Sequence, residues 1–302
     1  MGLKGVLTIF ISLLLILLIL FYFIPFNTLE FTPSSQENNF SLSSVESGMQ
    51  FYPNMRYSSN EISYKISGCT LQKENDMTEA FRIVENLTIL KFKPVLNNQE
   101  ISITCEEKNR FDNEMFVAGE GGATKIIQSR NFNIILEGEI LLIRSSDCPK
   151  PNVAIHELFH ALGFIHSSNP KNLMYNISEC DQTISQDMLE ETNRLYLTKS
   201  EPDLIVENVY ASIKGRFLSV NLSLVNIGLK ACDESKIVIY AGESRVKEMD
   251  IPSLDIGQGE IISFENIFVP QIGVKEITVS AEASFSEIEK ENNKIILEIT
   301  NN

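Results

Sequence analysis

The chain has 302 residues, of which 43% are hydrophobic, and its formal net charge at pH 7 is −15. This length suggests two domains of modest size, and the hydrophobic content is sufficient to give each domain a buried core. The negative charge argues against nucleic acids and anionic membrane surfaces as partners, since both are themselves negatively charged.

The chain begins with an apolar run over residues 5–26, which contains only weakly polar interruptions such as Thr8 and Ser12. The run is long enough to span a bilayer as a helix. It exceeds the apolar core of a secretory signal peptide, lacks a small-residue cleavage site, and ends in aromatic residues typical of a membrane interface. We therefore predict a cytoplasmic N-terminus at 1–4, a transmembrane signal anchor at 5–26, and the remaining chain outside the cytoplasm. A cleaved signal peptide, which would give a secreted protein, is the alternative.

Residues 27–50 are rich in Ser, Asn, Gln and Glu. A segment of this composition buries too little apolar surface to offset the entropy of folding, so we predict a flexible stalk. The first folded domain is expected to begin near Phe51.

Strand and helix patterns alternate over the next hundred residues. Glu61–Ser67 alternates polar and apolar residues, which predicts a half-buried strand. Met77–Leu87 has apolar residues at helical spacing, with Asn75 or Asp76 as a plausible N-cap. Further strands are predicted over 90–95, 100–105, 132–136 and 139–143. A glycine-rich stretch, 119–127, precedes the last two.

All three histidines of the chain lie within eleven residues, which read H-E-x-x-H-x-x-G-x-x-H. On a helix, His156 and His160 project from one face about one turn apart, so both imidazoles can reach one ion. Gly163 lies where this helix must end. Because glycine adopts the left-handed conformation readily, it can turn the chain and return His166 to the same ion. The pattern therefore predicts a metal site with three imidazole ligands.

Three neutral nitrogens can hold zinc and leave a fourth position open, as a catalytic site requires. Glu157 is adjacent to the first ligand, where it can reach a zinc-bound water without being a ligand itself. A short H-E-x-x-H match also occurs in ordinary amphipathic helices with solvated charges. Here five fixed positions match and every histidine falls on them, which favours the zinc site.

The motif and the residues after it resemble the metzincin clan of zinc endopeptidases, and within it the matrixin family. The resemblance is carried by the residues 156–166, by Ser167 directly after the third histidine, and by Asn172-Leu173-Met174-Tyr175 as the Met-turn. Astacin-like and reprolysin-like relatives usually have an acidic residue at the position of Ser167. Astacin-like enzymes also have a tyrosine ligand where this chain has Asn176.

The resemblance implies an α+β metzincin-like zinc protease domain over residues 51–198, with a twisted mixed sheet and long helices. It implies zinc ligation by His156, His160 and His166, with Glu157 as the general base and Met174 packed beneath the ligands. It also suggests that the stretch near Gly121–Ile127 forms the edge strand above the cleft, where an extended peptide can add to the sheet. A plain glycine-rich loop is the alternative there. Ser185–Leu197 matches the family's final helix.

Matrix metalloproteinases usually carry a second, structural zinc with further histidine ligands. This chain has no other histidine and cannot build that site. One catalytic Zn²⁺ is therefore expected, and Ca²⁺ is compatible with the family but cannot be assigned to residues.

The five cysteines contain no C-x-x-C pair, which argues against a thiolate metal site. Four of them lie in the protease region and can form disulfides outside the cytosol. We favour Cys69–Cys105 and Cys148–Cys180, although four cysteines allow three pairings and the sequence does not choose between them. Cys232 would remain free.

After a boundary at residues 199–203, the pattern changes to strands only. Seven strands are predicted, over 204–213, 216–228, 235–242, 244–254, 259–269, 273–284 and 293–300, which indicates an antiparallel sandwich. Pro202-Asp203-Leu204, Val225-Asn226-Ile227-Gly228 and Glu291-Asn292-Asn293 resemble CARDB-type immunoglobulin-like modules of prokaryotic surface proteins. We expect an all-β immunoglobulin-like sandwich over 201–302, which acts as a spacer or a binding module. A structural domain without a ligand is the alternative.

These expectations combine into a membrane-anchored zinc metalloendopeptidase that hydrolyses internal peptide bonds of extracytoplasmic proteins. A zinc-activated water would attack the peptide and Glu157 would take its proton. The partners would be protein or peptide substrates and the membrane, and the oligomeric state is left open. The main rival is a non-catalytic cell-surface adhesion or binding protein in which the C-terminal domain carries the binding function. A zinc hydrolase that does not act on peptides is the second rival, which the Met-turn disfavours.

Overall fold

The computed structural model describes residues 3–23, 28–33, 48–107, 110–112, 115–144 and 148–299. Parts of three predicted segments lie outside the described residues: 1–2 of the cytoplasmic N-terminus, 24–26 of the anchor, and 27 and 34–47 of the stalk. The last three residues of the C-terminal domain also lie outside them.

Helix α1 (Leu3–Phe23) coincides with most of the apolar run. Within the described part of the chain, no helix is long and apolar enough to cross a membrane. The span predicted over residues 5–26 is therefore not confirmed.

The first domain is built on a mixed sheet with three helices. Its elements are β2 (Met55–Tyr57), β3 (Glu61–Ser67), α2 (Leu71–Leu87), β4 (Lys91–Pro94), β5 (Ile101–Cys105), β6 (Arg110–Asp112), β7 (Met115–Val117), β8 (Gly119–Gln128), β9 (Asn133–Leu142), α3 (Asn152–Ala161) and α4 (Gln186–Leu197). The strand order is β2-β9-β5-β3-β4 with every pair parallel, and β8 adds antiparallel to β9. This architecture matches the mixed sheet that the sequence predicted.

Two boundaries in this domain differ from the sequence prediction. Helix α2 begins at Leu71 with Thr70 as its N-cap, so the predicted caps Asn75 and Asp76 lie inside the helix. The first turn of the helix is polar apart from Leu71, so the apolar spacing that indicates a helix begins only after it. The strands predicted over 132–136 and 139–143 form the single strand β9, because the backbone stays extended through Gly138, which pairs with Ile101 of β5 and Ala123 of β8.

The second domain is an all-β sandwich formed by one eight-stranded sheet. Its seven strands after the boundary are β10 (Leu204–Lys214), β11 (Phe217–Asn226), β12 (Ser235–Ala241), β13 (Ser244–Ile251), β14 (Gly259–Phe268), β15 (Glu276–Glu282) and β16 (Lys294–Ile299). All pairs are antiparallel, and the order is β13-β12-β15-β16-β1-β10-β11-β14, where β1 is Thr28–Pro33. Each of the seven predicted strands is confirmed, with ends that differ by a few residues.

The eighth strand, β1 (Thr28–Pro33), comes from the segment predicted to be a flexible stalk. It pairs with β10 through residues 28–31 and with β16 through residues 31–33, so it joins the two halves of the sheet. Phe31 is buried in the core of the sandwich. The stalk prediction is therefore wrong for residues 28–33. The reason is that one inward-facing aromatic is enough to dock a short strand between two existing edges, and its polar neighbours give no such signal.

The three short motifs of the second domain meet in one buried polar network. The side-chain oxygen of Asn226 accepts from the backbone N–H groups of Asp203 and Gly228. Asn292 donates to Asp203 at 3.0 Å, and Asn293 donates to Glu287 at 2.8 Å. Burial raises the pKa of Asp203 to about 7. The network ties the start of β10 to the turn before β16, which gives the motif residues a structural role.

Strand β1 yields a stability prediction. Phe31 is 1% exposed and Leu29, on the same strand, is 40% exposed. Phe31→Ala should lower the free energy of unfolding by about 3–5 kcal/mol, because it leaves a cavity in the core. Leu29→Ala should cost much less. Chemical denaturation of both variants would measure the difference, and equal losses would show that β1 does not insert into the sandwich.

Candidate metal centre

The three histidines of the motif converge on one point. The Nε2 atom of His160 lies 3.0 Å from Nε2 of His156 and 3.1 Å from Nε2 of His166. His156 and His160 are buried, whereas His166 is exposed. This group of side chains could hold a metal ion.

Two local features bring the third histidine to the first two. Helix α3 places His156 and His160 on one face and ends at Ala161. Gly163 then has a φ of 96°, the left-handed conformation predicted for it. The returning chain is held by backbone hydrogen bonds from Phe51 N–H to Gly163 and from Ile165 N–H to Met49.

Hydrogen bonds fix the orientation of two of the rings. The Nδ1 atoms of His156 and His160 lie 2.8 Å and 2.7 Å from the carbonyl oxygens of Leu173 and Phe164. A carbonyl only accepts, so both Nδ1 atoms carry the proton and both Nε2 atoms present a lone pair. Burial lowers the pKa of His160 to about 4 and also lowers the pKa of His156, which keeps both rings neutral.

This donor set fits a zinc ion. Facing lone pairs about 3 Å apart repel one another unless a shared cation lies between them. Zinc binds neutral imidazole nitrogens, and three such ligands leave its fourth position open. In the described residues, no other group of three His, Cys, Asp or Glu side chains comes together in this way, so calcium remains without assigned ligands.

Glu157 lies beside this centre and is 5% exposed. Burial raises the pKa of Glu157 to about 8, and the carboxylate of Glu120 contributes to the rise. A metal charge close by would act in the opposite direction and favour the ionised carboxylate. The side chain is therefore in a position to exchange a proton near neutral pH.

Met174 belongs to the apolar core of the first domain and is 1% exposed. Its backbone N–H donates to Asn172, and its carbonyl accepts from Ser167 N–H at 2.8 Å each. The preceding residue, Leu173, provides the carbonyl that binds His156. The predicted Met-turn segment thus contacts both ends of the histidine motif through hydrogen bonds.

Strand β8 is the edge of the sheet beside α3, because β9 is its only partner strand among the described residues. The prediction of an edge strand near Gly121–Ile127 is confirmed. Two glycines allow its close approach to Glu157. A Cβ atom at Gly119 would lie 2.7 Å from Glu157 Cγ, and one at Gly121 would lie 2.3 Å from the Glu157 carbonyl oxygen.

Sequence reasoning missed one side chain next to the centre. Phe51 is half exposed, and its ring centroid lies 6.2 Å from that of His160. The sequence gives no signal for this contact, because the two residues are over a hundred positions apart. The contact depends on the pairing of residues 49–51 with the turn after α3.

Both preferred disulfides are confirmed. Cys148 and Cys180 are bonded, which connects the approach to α3 with the segment after the Met-turn, and Cys69 is bonded to Cys105. Cys232 is free and buried in the second domain, as predicted.

The glycines of β8 provide a prediction with an internal control. Gly121→Ala should lower the free energy of unfolding by about 1–3 kcal/mol and weaken metal binding, because the added methyl group meets the backbone of Glu157. Gly122→Ala should stay close to the wild type, since no atom lies within 4 Å of its added Cβ. Thermal unfolding and zinc titration of both variants would test this, and identical behaviour would contradict it.

Comparisons with known proteins place both domains in families. Residues 56–197 match the matrixin family model, and residues 201–296 match the CARDB family model. No curated protein matches the chain. Among solved structures, a CARDB domain from Pyrococcus furiosus, crystallised in complex with di-metal ions, is 17% identical over 33% of this chain and 88% of the other, with a TM-score of 0.28. The chain therefore combines a matrixin domain with a CARDB domain that follows it.

Proposed function

We propose that the protein is a zinc-dependent metalloendopeptidase that hydrolyses internal peptide bonds of protein substrates. The observation that carries the proposal is the convergence of three imidazole Nε2 atoms, with the buried carboxylate of Glu157 next to His156 in the chain, in a domain that matches the matrixin family. His156, His160 and His166 would hold the ion, and Glu157 would be the general base.

Zinc, when bound, supplies a Lewis acid that polarises the scissile carbonyl and makes water a better nucleophile near neutral pH. The Glu157 carboxylate would take a proton from the attacking water and later deliver it to the leaving amine nitrogen. Its burial supports this role, because a carboxylate with a raised pKa holds and releases a proton at neutral pH. The carbonyl groups of Leu173 and Phe164 keep the two helical imidazoles oriented throughout.

The substrate would bind in an extended conformation along β8. The free edge of this strand offers unpaired backbone N–H and C=O groups to a peptide. Strand β8 begins at the glycines that contact Glu157. A peptide added at this edge would therefore pass over the general base. Phe51 would form part of the cleft wall beside His160.

We further propose that both domains function outside the cytoplasm, with the apolar segment 5–26 as a membrane anchor or, if it is cleaved, as a signal peptide. Two disulfides support this location, because disulfides persist in oxidising compartments and are rare in the cytosol. Protease digestion of intact cells that express the protein should remove both domains while a cytosolic marker survives. Protection of the domains would exclude this location.

The proposed activity is tested with the full-length protein on casein. Wild-type protein should bind one zinc ion and cleave casein, and a chelator should abolish cleavage. Glu157→Gln should retain zinc but lower kcat by at least about 10²-fold, because the proton acceptor is lost. Glu79→Gln, an exposed position on α2, serves as the matched control.

The outcomes separate the rival functions. Zinc binding without cleavage of casein or of a peptide library would favour a non-catalytic binding role. No zinc binding by wild-type protein would exclude the mechanism. Full activity of Glu157→Gln would exclude Glu157 as the general base.

A further inference from the structure

The CARDB domain contacts the first domain at the turn of the β8–β9 hairpin, residues 129–132. Phe132 and Ile134 of the hairpin are fully buried against Leu229 of the CARDB domain. Ser129 is buried as well, and its hydroxyl donates a hydrogen bond to the carbonyl of Ile227. We call this contact the hairpin junction.

Strand β8 itself reaches the hairpin junction. The CARDB turn at Gly257 packs against it so closely that a Cβ atom there would lie 2.9 Å from Ile127 Cγ2. An exposed ion pair, Arg130–Glu207 at 3.6 Å, lies beside this contact. The far end of β8 is therefore contacted by the CARDB domain in addition to its pairing with β9.

The opposite end of β8 lies against the metal centre. Gly119 and Gly121 contact Glu157 without room for a methyl group. Between the two ends, the pairing of β8 with β9 is irregular on both sides of Lys125. An edge strand with one partner and an interrupted ladder is weakly fixed by its own sheet, so the contacts at its two ends determine where it lies.

We infer that the CARDB domain positions the edge strand β8 over the catalytic centre, with Leu229 and Ser129 as positioning residues. About seven residues separate Gly121 from Gln128, roughly 23 Å along an extended strand. A displacement at the junction would therefore reach the part of β8 that binds a long peptide. The expected effect on catalysis rests on the proposed function. The hairpin junction and its effect on the position of β8 do not depend on that function.

The test compares two truncations of buried leucines in the CARDB domain. Leu229→Ala opens the hairpin junction, whereas Leu222→Ala removes a similar volume from the CARDB core away from it. In full-length protein, Leu229→Ala should raise hydrogen–deuterium exchange of the β8 amides about tenfold, and Leu222→Ala should not. Ser129→Ala, a milder change at the same junction, should shift exchange in the same direction.

Kinetics provide the second measurement. For a peptide of ten or more residues that spans β8, Leu229→Ala should lower kcat/KM about tenfold, mainly through KM, while Leu222→Ala stays near wild type. Hydrolysis of a short peptide that reaches only Gly119–Gly121 should be nearly unchanged, and so should zinc content. A purely structural loss of folded protein would lower both activities equally.

Equal exchange of β8 in the two leucine variants would overturn the inference. If the wild type proves to have no peptidase activity, the exchange comparison still decides whether the junction positions β8. Failure of the proposed function and failure of the positioning inference are thus distinguishable.

Discussion

The geometry of the first domain depends on the approach of the Nε2 atoms of His156 and His166 to about 3 Å from Nε2 of His160. Such an arrangement is unfavourable for neutral lone pairs without a cation, so the surrounding fold must hold it in place. The buried helix α3 supplies two rings, the left-handed turn at Gly163 returns the third, and carbonyls of Leu173 and Phe164 set the ring orientations. The disulfide from Cys148 to Cys180 then connects the two ends of this segment.

Close backbone packing extends this constraint to the edge strand β8. Two glycines bring β8 into contact with Glu157, which makes the position of the strand and the position of the carboxylate interdependent. The same strand ends at the CARDB domain. The β8–β9 hairpin therefore contacts both the second domain and the residues of the metal centre.

Strand β1 precedes the first domain in the sequence but belongs to the sheet of the second domain. Strand β1 lies between β10 and β16, so the matrixin domain is connected on both sides to one sandwich. A fragment that begins at residue 51 would lack a core strand of that sandwich. The arrangement explains why the buried Phe31 is separated by 173 residues from Leu204, with which it shares a core.

The sequence by itself determined the elements whose signal is local. Histidine spacing, the glycine after the helix and the strand alternation of residues 204–300 predicted the convergence of the rings and the seven later strands. Only the tertiary structure decided the contacts between distant segments. These are the insertion of β1, the approach of Phe51 to His160, the contact of β8 with Glu157, and the hairpin junction. A local pattern records which face of an element is apolar, but it does not record which distant surface will cover that face.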